Sequence, residues 1–268
     1  MSGRIGFIGL GSQGGPMAER IVDAGMPLTV WARRPEALEP YLAKGAQAAA
    51  SVAELGKACE HIGICVVDDA GVKAICAELI PAMAPGSRIA IHSTILPETC
   101  AELAELAGAR GVAVIDAPVS GGGPGAAAGV LTVMCGGDAK AFAACKPVFE
   151  TFGKLIVLLG PLGSGQRAKI VNNALMAANM GLAQAALDAG QALGCDRAAL
   201  AQLINASSGR SFGFEVFARL PSPAAFAQGA PLLRKDVNLL RAVLPGHGGA
   251  DLLASTADPF LDAANAAS

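Results

Sequence analysis

Aromatic side chains are scarce in this chain, at 4% of 268 residues, so its core is expected to be built from Ala, Val, Leu and Ile. A surplus of charge is missing too. The formal net charge is -2, and Lys and Arg are scattered without a basic run, which excludes an electrostatic footprint for nucleic acid. No C-x-x-C pair occurs among Cys59, Cys65, Cys76, Cys100, Cys135, Cys145 and Cys195. An odd count without a leader points to reduced thiols in the cytoplasm, and those inside apolar runs read as small hydrophobes. Met1-Ser2-Gly3-Arg4 leads directly into a predicted strand, so no leader is expected. His61, His92 and His247 lack metal-ligand spacing; no metal site is expected, and all three read as structural. The most apolar long stretch, residues 170–193, contains Asn172, Asn173, Asn179, Gln184, Asp188 and Gln191. That is too polar for a bilayer and suits a long soluble helix.

What is present is apolar and small. Hydrophobic residues make up 53% of the chain, and 34 Gly with many Ala point to close backbone approach. The length admits one or two domains. Residues 4–8, 28–31, 62–67, 88–92, 113–115, 130–135 and 155–158 read as strands. Between them, residues 16–24, 72–79 (stopped by Pro81), 98–109 and 140–149 read as helices. That alternation predicts an α/β fold with a doubly wound, largely parallel sheet. After Gly160-Pro161 the strand signal ends. One helix of roughly 40 Å is predicted over residues 166–193, then others at 197–206, 212–219, 233–244 and 251–264. The predicted division is a Rossmann-type domain over residues 1–161 and an all-helical domain over 162–268, joined by the long helix.

The motifs fall in a telling order. Gly9-Leu10-Gly11-Ser12-Gln13-Gly14 follows the first strand and precedes a helix, the context that a dinucleotide loop requires. Gly9 permits the tight turn, Gly11 the approach of a pyrophosphate, and Gly14 the packing of helix on strand. The second strand ends in Trp31-Ala32-Arg33-Arg34, with Ala32 where an NAD site carries an acid. A guanidinium there, Arg33, suits a 2′-phosphate, so NADP is predicted in preference to NAD, with Arg34 as a solvated loop charge. Asp116-Ala117-Pro118-Val119-Ser120-Gly121-Gly122 ends in a turn without bulky side chains. Amides of Ser120, Gly121 and Gly122 can converge there on a carboxylate. Lys169 and Asn173 share one helical face, which suits a proton donor-acceptor beside an amide that fixes a hydroxyl. To act as a base the lysine must lose a proton, which burial or a neighbouring cation such as Lys235 favours. Val66 and Val67, after the third strand, are expected to meet a nicotinamide ring through backbone, ahead of any chemistry by Asp68-Asp69.

Taken together these residues resemble the β-hydroxyacid dehydrogenase family, which includes 3-hydroxyisobutyrate dehydrogenases and tartronate semialdehyde reductases and is 6-phosphogluconate dehydrogenase-like in fold. Residues 9–18 look like its opening signature, with Gln13 in place of the usual Met, and residues 116–122 match its substrate motif in full. Residues 163–169 with Asn172-Asn173 are similar to the stretch that bears its catalytic lysine, and Lys235-Asp236 to its Lys-Asp pair near the cofactor. Thr94 matches a cofactor-contacting position, with His92 two residues before it where Asp is common. Ser207-Ser208-Gly209-Arg210 is similar to a segment of the 3-hydroxyisobutyrate dehydrogenases; Arg210 reads as a substrate-anion contact or as a loop charge. The resemblance implies an NAD(P)-dependent oxidoreductase that interconverts a small 3-hydroxy acid and its semialdehyde or keto form. It implies Lys169 as proton carrier, and Ser120, Gly121, Gly122 and Asn173 as substrate contacts. Gly9, Leu10, Gly11, Ser12, Gln13, Gly14, Arg33, Val66, Val67, Thr94 and Lys235 fall to the cofactor. A small carboxylate is the expected partner, with no nucleic acid or membrane, in a homodimer or homotetramer. The alternatives are an imine reductase-like NADPH enzyme, against which Lys169 argues, and a catalytically silent cofactor-binding member.

Overall fold

Parallel strands joined by helices make up the amino-terminal part of the computed structural model, which describes residues 3–266. β1 (Ile5–Ile8) leads into α1 (Gly14–Asp23) and β2 (Leu28–Trp31). A 3-10 turn (Pro35–Leu38), the single-turn α2 (Glu39–Leu42) and β3 (Gln47–Ala48) come next, followed by α3 (Val52–Ala58) and β4 (His61–Ile64). Then come α4 (Asp69–Ala82), β5 (Arg88–Ile91), α5 (Pro97–Gly108) and β6 (Ala113–Asp116). The six strands form one sheet of order β3-β2-β1-β4-β5-β6, parallel throughout. Their carboxyl ends therefore share one edge, and the order reverses between β1 and β4, where α/β sheets bind ligands.

The strands are near-continuous apolar runs because helices cover both faces. Ile5 and Phe7 pack with Met17 and Ile21, whereas Ile8, Ile62 and Ile64 pack with Leu55, Val72 and Leu79 on the other side. Aliphatic residues dominate, yet Phe7, Phe149, Phe152, Phe217 and Phe260 are among the largest fully buried side chains. Most of the few aromatics are interior, with Phe212 an exposed exception.

Local differences from the sequence reading have physical reasons. β4 stops at Ile64, because the Val66 N–H is donated to Ser93 Oγ at 2.8 Å instead of to a ladder. α4 runs through Pro81 to Ala82; a proline in the last turn removes one bond and cannot stop the preceding turns. β3 was not legible, being two exposed residues without alternation. The later strands do not join the large sheet. Instead, β7 (Val119–Ser120), α6 (Gly122–Ala127), β8 (Leu131–Cys135), α7 (Ala139–Phe149) and β9 (Gly153–Leu158) build a second sheet of order β7-β8-β9. β7 pairs antiparallel with β8, and β8 parallel with β9. Pro118, which has no N–H, separates β7 from β6.

α8 (Ser164–Ala192) is a continuous helix of 29 residues. The chain divides into compact units within it, between Lys169 and Ile170. The second unit adds α9 (Arg197–Asn205), α10 (Phe212–Ala218), a 3-10 turn (Pro223–Phe226), α11 (Ala230–Val243) and α12 (Gly248–Asn265). Asp196 and Ser211 cap α9 and α10 by accepting the Ala199 and Phe214 N–H groups at 2.8 and 3.0 Å. Its core gathers Ile170, Met180, Leu187, Phe214, Phe217 and Phe260. Arg234 and Arg241 both bind Asp258, pinning α11 to α12. Among the described residues no helix is long and apolar enough to cross a membrane.

Candidate functional site

The dinucleotide loop lies between β1 and α1, at the carboxyl edge of the large sheet. Gly9 adopts φ 97°, and a side chain there would run into the carbonyl of Cys65 just beyond β4. At Gly14 it would strike the Gly9 carbonyl, so α1 starts hard against the turn. Gly11 has open space in front of it. The cap residue Gln13 makes no side-chain cap bond, and the first turn of α1 carries no acid. Leu10 and Gln13 are partly exposed and Ser12 is exposed. This loop therefore presents amides and a positive helix end to an anion, and it fits a pyrophosphate. Arg33 and Arg34 are exposed just past β2, the strand beside β1.

The segments after β4 and β5 are tied together. Beyond the Val66–Ser93 bond, Asp69 Oδ1 accepts the Leu96 N–H at 3.0 Å and the Thr99 hydroxyl at 2.6 Å. Asp68 caps α4 through the Gly71 N–H at 2.8 Å. Both acids are thus structural. Val66 and Thr94 are partly buried, while Val67 is exposed.

The residues after β6 fold into two functions. Asp116, fully buried, accepts the Gly163 N–H on Oδ1 and the Gln166 N–H on Oδ2, each at 2.7 Å. Burial pushes its carboxyl above the usual range, and the bonds from Gly163, Gln166 and neighbouring amides oppose that. The carboxylate holds the start of α8, as a capping acid does. Ser120 ends β7, and Gly121 and Gly122 follow at φ 129° and 62°, both exposed. A Cβ on the next residue, Gly123, would stand 2.5 Å from the Ser12 carbonyl, so this turn abuts the dinucleotide loop. Lys169, on the same α8, is buried at 8% exposure.

Asn173 and Lys235 belong to the second unit, where Asp236 joins them. Asn173 Nδ2 donates to Asp236 Oδ2 at 2.6 Å, and Lys235 Nζ lies 3.3 Å from Oδ1. A carboxylate only accepts, which orients the Asn173 amide. Asn172 Nδ2 donates to Asn173 Oδ1 at 3.1 Å. Arg210 lines a separate open hollow of about 540 Å³ with Asn205, Phe212, Glu215 and Arg219.

Comparison with known proteins bears directly on this arrangement. Residues 4–160 match the family model described as the NAD binding domain of 6-phosphogluconate dehydrogenase. Residues 163–268 match that of the NAD-binding domain of NADP-dependent 3-hydroxyisobutyrate dehydrogenase. An NAD-dependent L-serine dehydrogenase of Pseudomonas aeruginosa is 38% identical over 88% of this chain and 83% of its own. The chain belongs to the β-hydroxyacid dehydrogenase family. A 3-hydroxyisobutyrate dehydrogenase of the same bacterium is 35% identical over 89% of this chain and 84% of its own. The solved 3-hydroxyisobutyrate dehydrogenase of Mycobacterium tuberculosis with L-serine superposes with a TM-score of 0.87 at 27% identity, covering 98% and 94% of the two chains. Membership makes the chain an NAD(P)-dependent oxidoreductase.

Within this family frame, three residues matter that sequence reasoning passed over. Asp116 read only as the lead-in to its motif. Gln166 falls within the 163–169 stretch without a role of its own in the sequence reading, although it is fully buried with both amide atoms bonded to the backbone after β5. Asp236 was seen as half of a Lys-Asp pair and not as the holder of Asn173. Cys59, Cys76, Cys100, Cys135 and Cys145, with His61 and His92, are buried as core residues are, whereas Cys195 and His247 are exposed. All seven cysteines are free, and burial pushes Cys65, Cys76, Cys135 and Cys145 up to about 12. His92 stacks on Phe7, and its Nδ1 lies 2.8 Å from the Ala117 carbonyl. Among the described residues no group of His, Cys, Asp and Glu is arranged to hold a metal ion.

Proposed function

We propose an NADP-preferring dehydrogenase that interconverts a small 3-hydroxy acid and its semialdehyde or keto form. The observation that carries this is Lys169: a buried lysine on the helix whose first turn is hydrogen-bonded to the ends of β5 and β6. L-serine and 3-hydroxyisobutyrate, the compounds in the relatives' names, share a carboxylate whose α-carbon bears a hydroxymethyl group. That unit is the proposed substrate class.

When bound, the nicotinamide supplies or accepts the hydride. The backbone of Gly9, Leu10, Gly11, Ser12, Gln13 and Gly14 cradles the pyrophosphate at the end of α1. Arg33 pairs with the 2′-phosphate, and Val66, Val67 and Thr94 border the reactive ring, with Lys235 as a further cofactor contact. Amides of Ser120, Gly121 and Gly122 hold the substrate carboxylate. Asn173 orients the reacting oxygen, and Lys169 takes the hydroxyl proton during oxidation and returns it during reduction. Residues 1–161 form the cofactor-binding domain in this reading and also supply the Ser120, Gly121 and Gly122 amides, while residues 162–268 supply Lys169 and Asn173 and serve assembly. Exposed Val171, Leu175 and Leu182 along α8 support a homodimer or homotetramer, and seven free thiols support a cytoplasmic setting.

The test is turnover of a panel of 3-hydroxy acids and their aldehydes, each with NADP and NAD. Activity confined to compounds without a carboxylate would sink the reading. Arg33→Ala should lower the NADP-over-NAD preference by about tenfold, as loss of one charge-assisted pair does.

A further inference from the structure

Gln166 lies one helical turn before Lys169 on α8 and is fully buried. Both ends of its amide are engaged by a single loop. Oε1 accepts the Ile95 N–H at 3.1 Å, and Nε2 donates to the Ser93 carbonyl at 2.8 Å, so the two bonds bracket Thr94. Its backbone is held separately by Asp116, which also fixes Gly163. Ser93 in turn receives the Val66 N–H on its hydroxyl. One side chain thereby connects the loop after β4, the loop after β5 and the helical turn that carries Lys169.

The chemistry of the position is narrow. The loop offers one donor and one acceptor, both backbone, and a neutral amide answers both. A carboxylate would set one of its oxygens against the Ser93 carbonyl, and an apolar side chain would leave both backbone groups buried without partners. We propose that Gln166 is a positioning residue: it holds residues 93–96, with Thr94 at their centre, in register with the turn of Lys169. A displacement of about 1 Å between groups that must act together can cost about a hundredfold in rate. The kinetic side of this inference rests on the dehydrogenase reading; the contact itself does not.

Gln166→Glu and Gln166→Met test it in the full chain. Glutamate keeps the shape and can still accept from Ile95, but it donates to the Ser93 carbonyl only when protonated. At pH 8 the Glu variant should have a kcat about tenfold or more below wild type, with substrate KM and NADP dissociation constant within about threefold. Toward pH 5.5 its deficit against wild type at the same pH should shrink, while the Met variant stays deficient throughout. Hydrogen exchange of residues 93–96, measured without cofactor, should be about tenfold faster in both variants at pH 8, with β8 unchanged. If the Met variant fails to fold, the Glu variant alone carries the test through its acid rescue. Unchanged exchange in residues 93–96 overturns the proposal. So does a lower melting temperature with kcat per folded enzyme intact and no acid rescue. Absence of wild-type turnover on every hydroxy acid would strike the dehydrogenase reading instead, and the exchange measurement would then decide this one.

Discussion

In the first unit the candidate binding surface is mostly backbone. Gly9 and Gly14 bring β1, β4 and α1 together, and Gly121 and Gly122 turn the chain beside Ser12. In the second unit the candidate residues work through side chains on packed helices, with Asp236 holding Asn173 and Lys235. The difference has a physical source. Backbone that must turn sharply or approach another strand excludes a Cβ, so it leaves glycine at fixed spacing. A side-chain cluster on helices needs only suitable residues one turn apart, and helices supply that spacing everywhere. Lys169 stands at the junction, as the last residue of the first unit on a helix that continues into the second.

The largest expected effect tests that junction. Lys169→Ala should lower kcat by two or more orders of magnitude, about 2.7 kcal/mol of transition-state stabilisation, with the NADP dissociation constant nearly unchanged. Turnover near wild type would remove Lys169 from the chemistry. Stopped-flow measurement of the hydride step separates this from slow product release.

Next in size is an attack on the backbone side. Gly14→Ala places a methyl group against the Gly9 carbonyl, where backbone and not a flexible side chain must yield. Cofactor affinity should fall by about thirtyfold, near 2 kcal/mol, as strain of a few kcal/mol at a ligand loop implies. Calorimetric titration with NADP checks it. Affinity within twofold of wild type would mean that the loop has slack and that the glycine spacing was not needed here.

Acid should sharpen the contrast between the units. His61 and His92 are buried in the first unit, whereas His247 in the second is exposed. Burial first, then the Arg88 charge and His92, lowers His61 from 6.5 to about 3; burial lowers His92 to about 4, against a supporting bond from Ala117. Below about pH 6.5 the unfolded chain binds protons that the folded chain refuses. Stability should therefore decline from about pH 6.5 down to about pH 4, each histidine contributing up to about 1.4 kcal/mol per pH unit. His61→Leu should flatten that slope by about its own share, and it removes two ring nitrogens without hydrogen-bond partners. Urea melts at pH 5 and pH 7 measure this. An identical slope in variant and wild type would show that His61 is accommodated in its charged form.

How much could be read in advance follows the same line. The parallel sheet, the dinucleotide loop and the residue 116–122 motif were legible, since apolar runs bounded by glycine and proline record buried strands and tight turns. The separate second sheet was not, because strands 130–135 and 155–158 have the same apolar character whichever sheet they join. Gln166 and Asp116 escaped for a different reason. Their partners are backbone groups in segments 47 to 73 residues away, and a backbone group has no letter in the sequence. Asn173 was singled out only through its neighbours in sequence, and its anchor Asp236, 63 residues on, was noticed for Lys235 instead.

The smallest predicted effect probes that anchor. Asp236→Ala removes a carboxylate of 5% exposure, freeing the Asn173 amide to rotate and ending the pairing with Lys235. The Asn173 side chain itself survives, so on the proposed function the substrate hydroxyl loses orientation without losing its partner. A lost charge-assisted hydrogen bond of this kind should raise the substrate KM by about fivefold, near 1 kcal/mol, with kcat reduced less than twofold. That pattern is the reverse of Lys169→Ala, which strikes kcat alone. A fall in kcat that matches the Lys169 variant would mean that Asp236 acts on the proton carrier. The side-chain cluster of the second unit would then belong to the chemistry and not to the positioning of substrate.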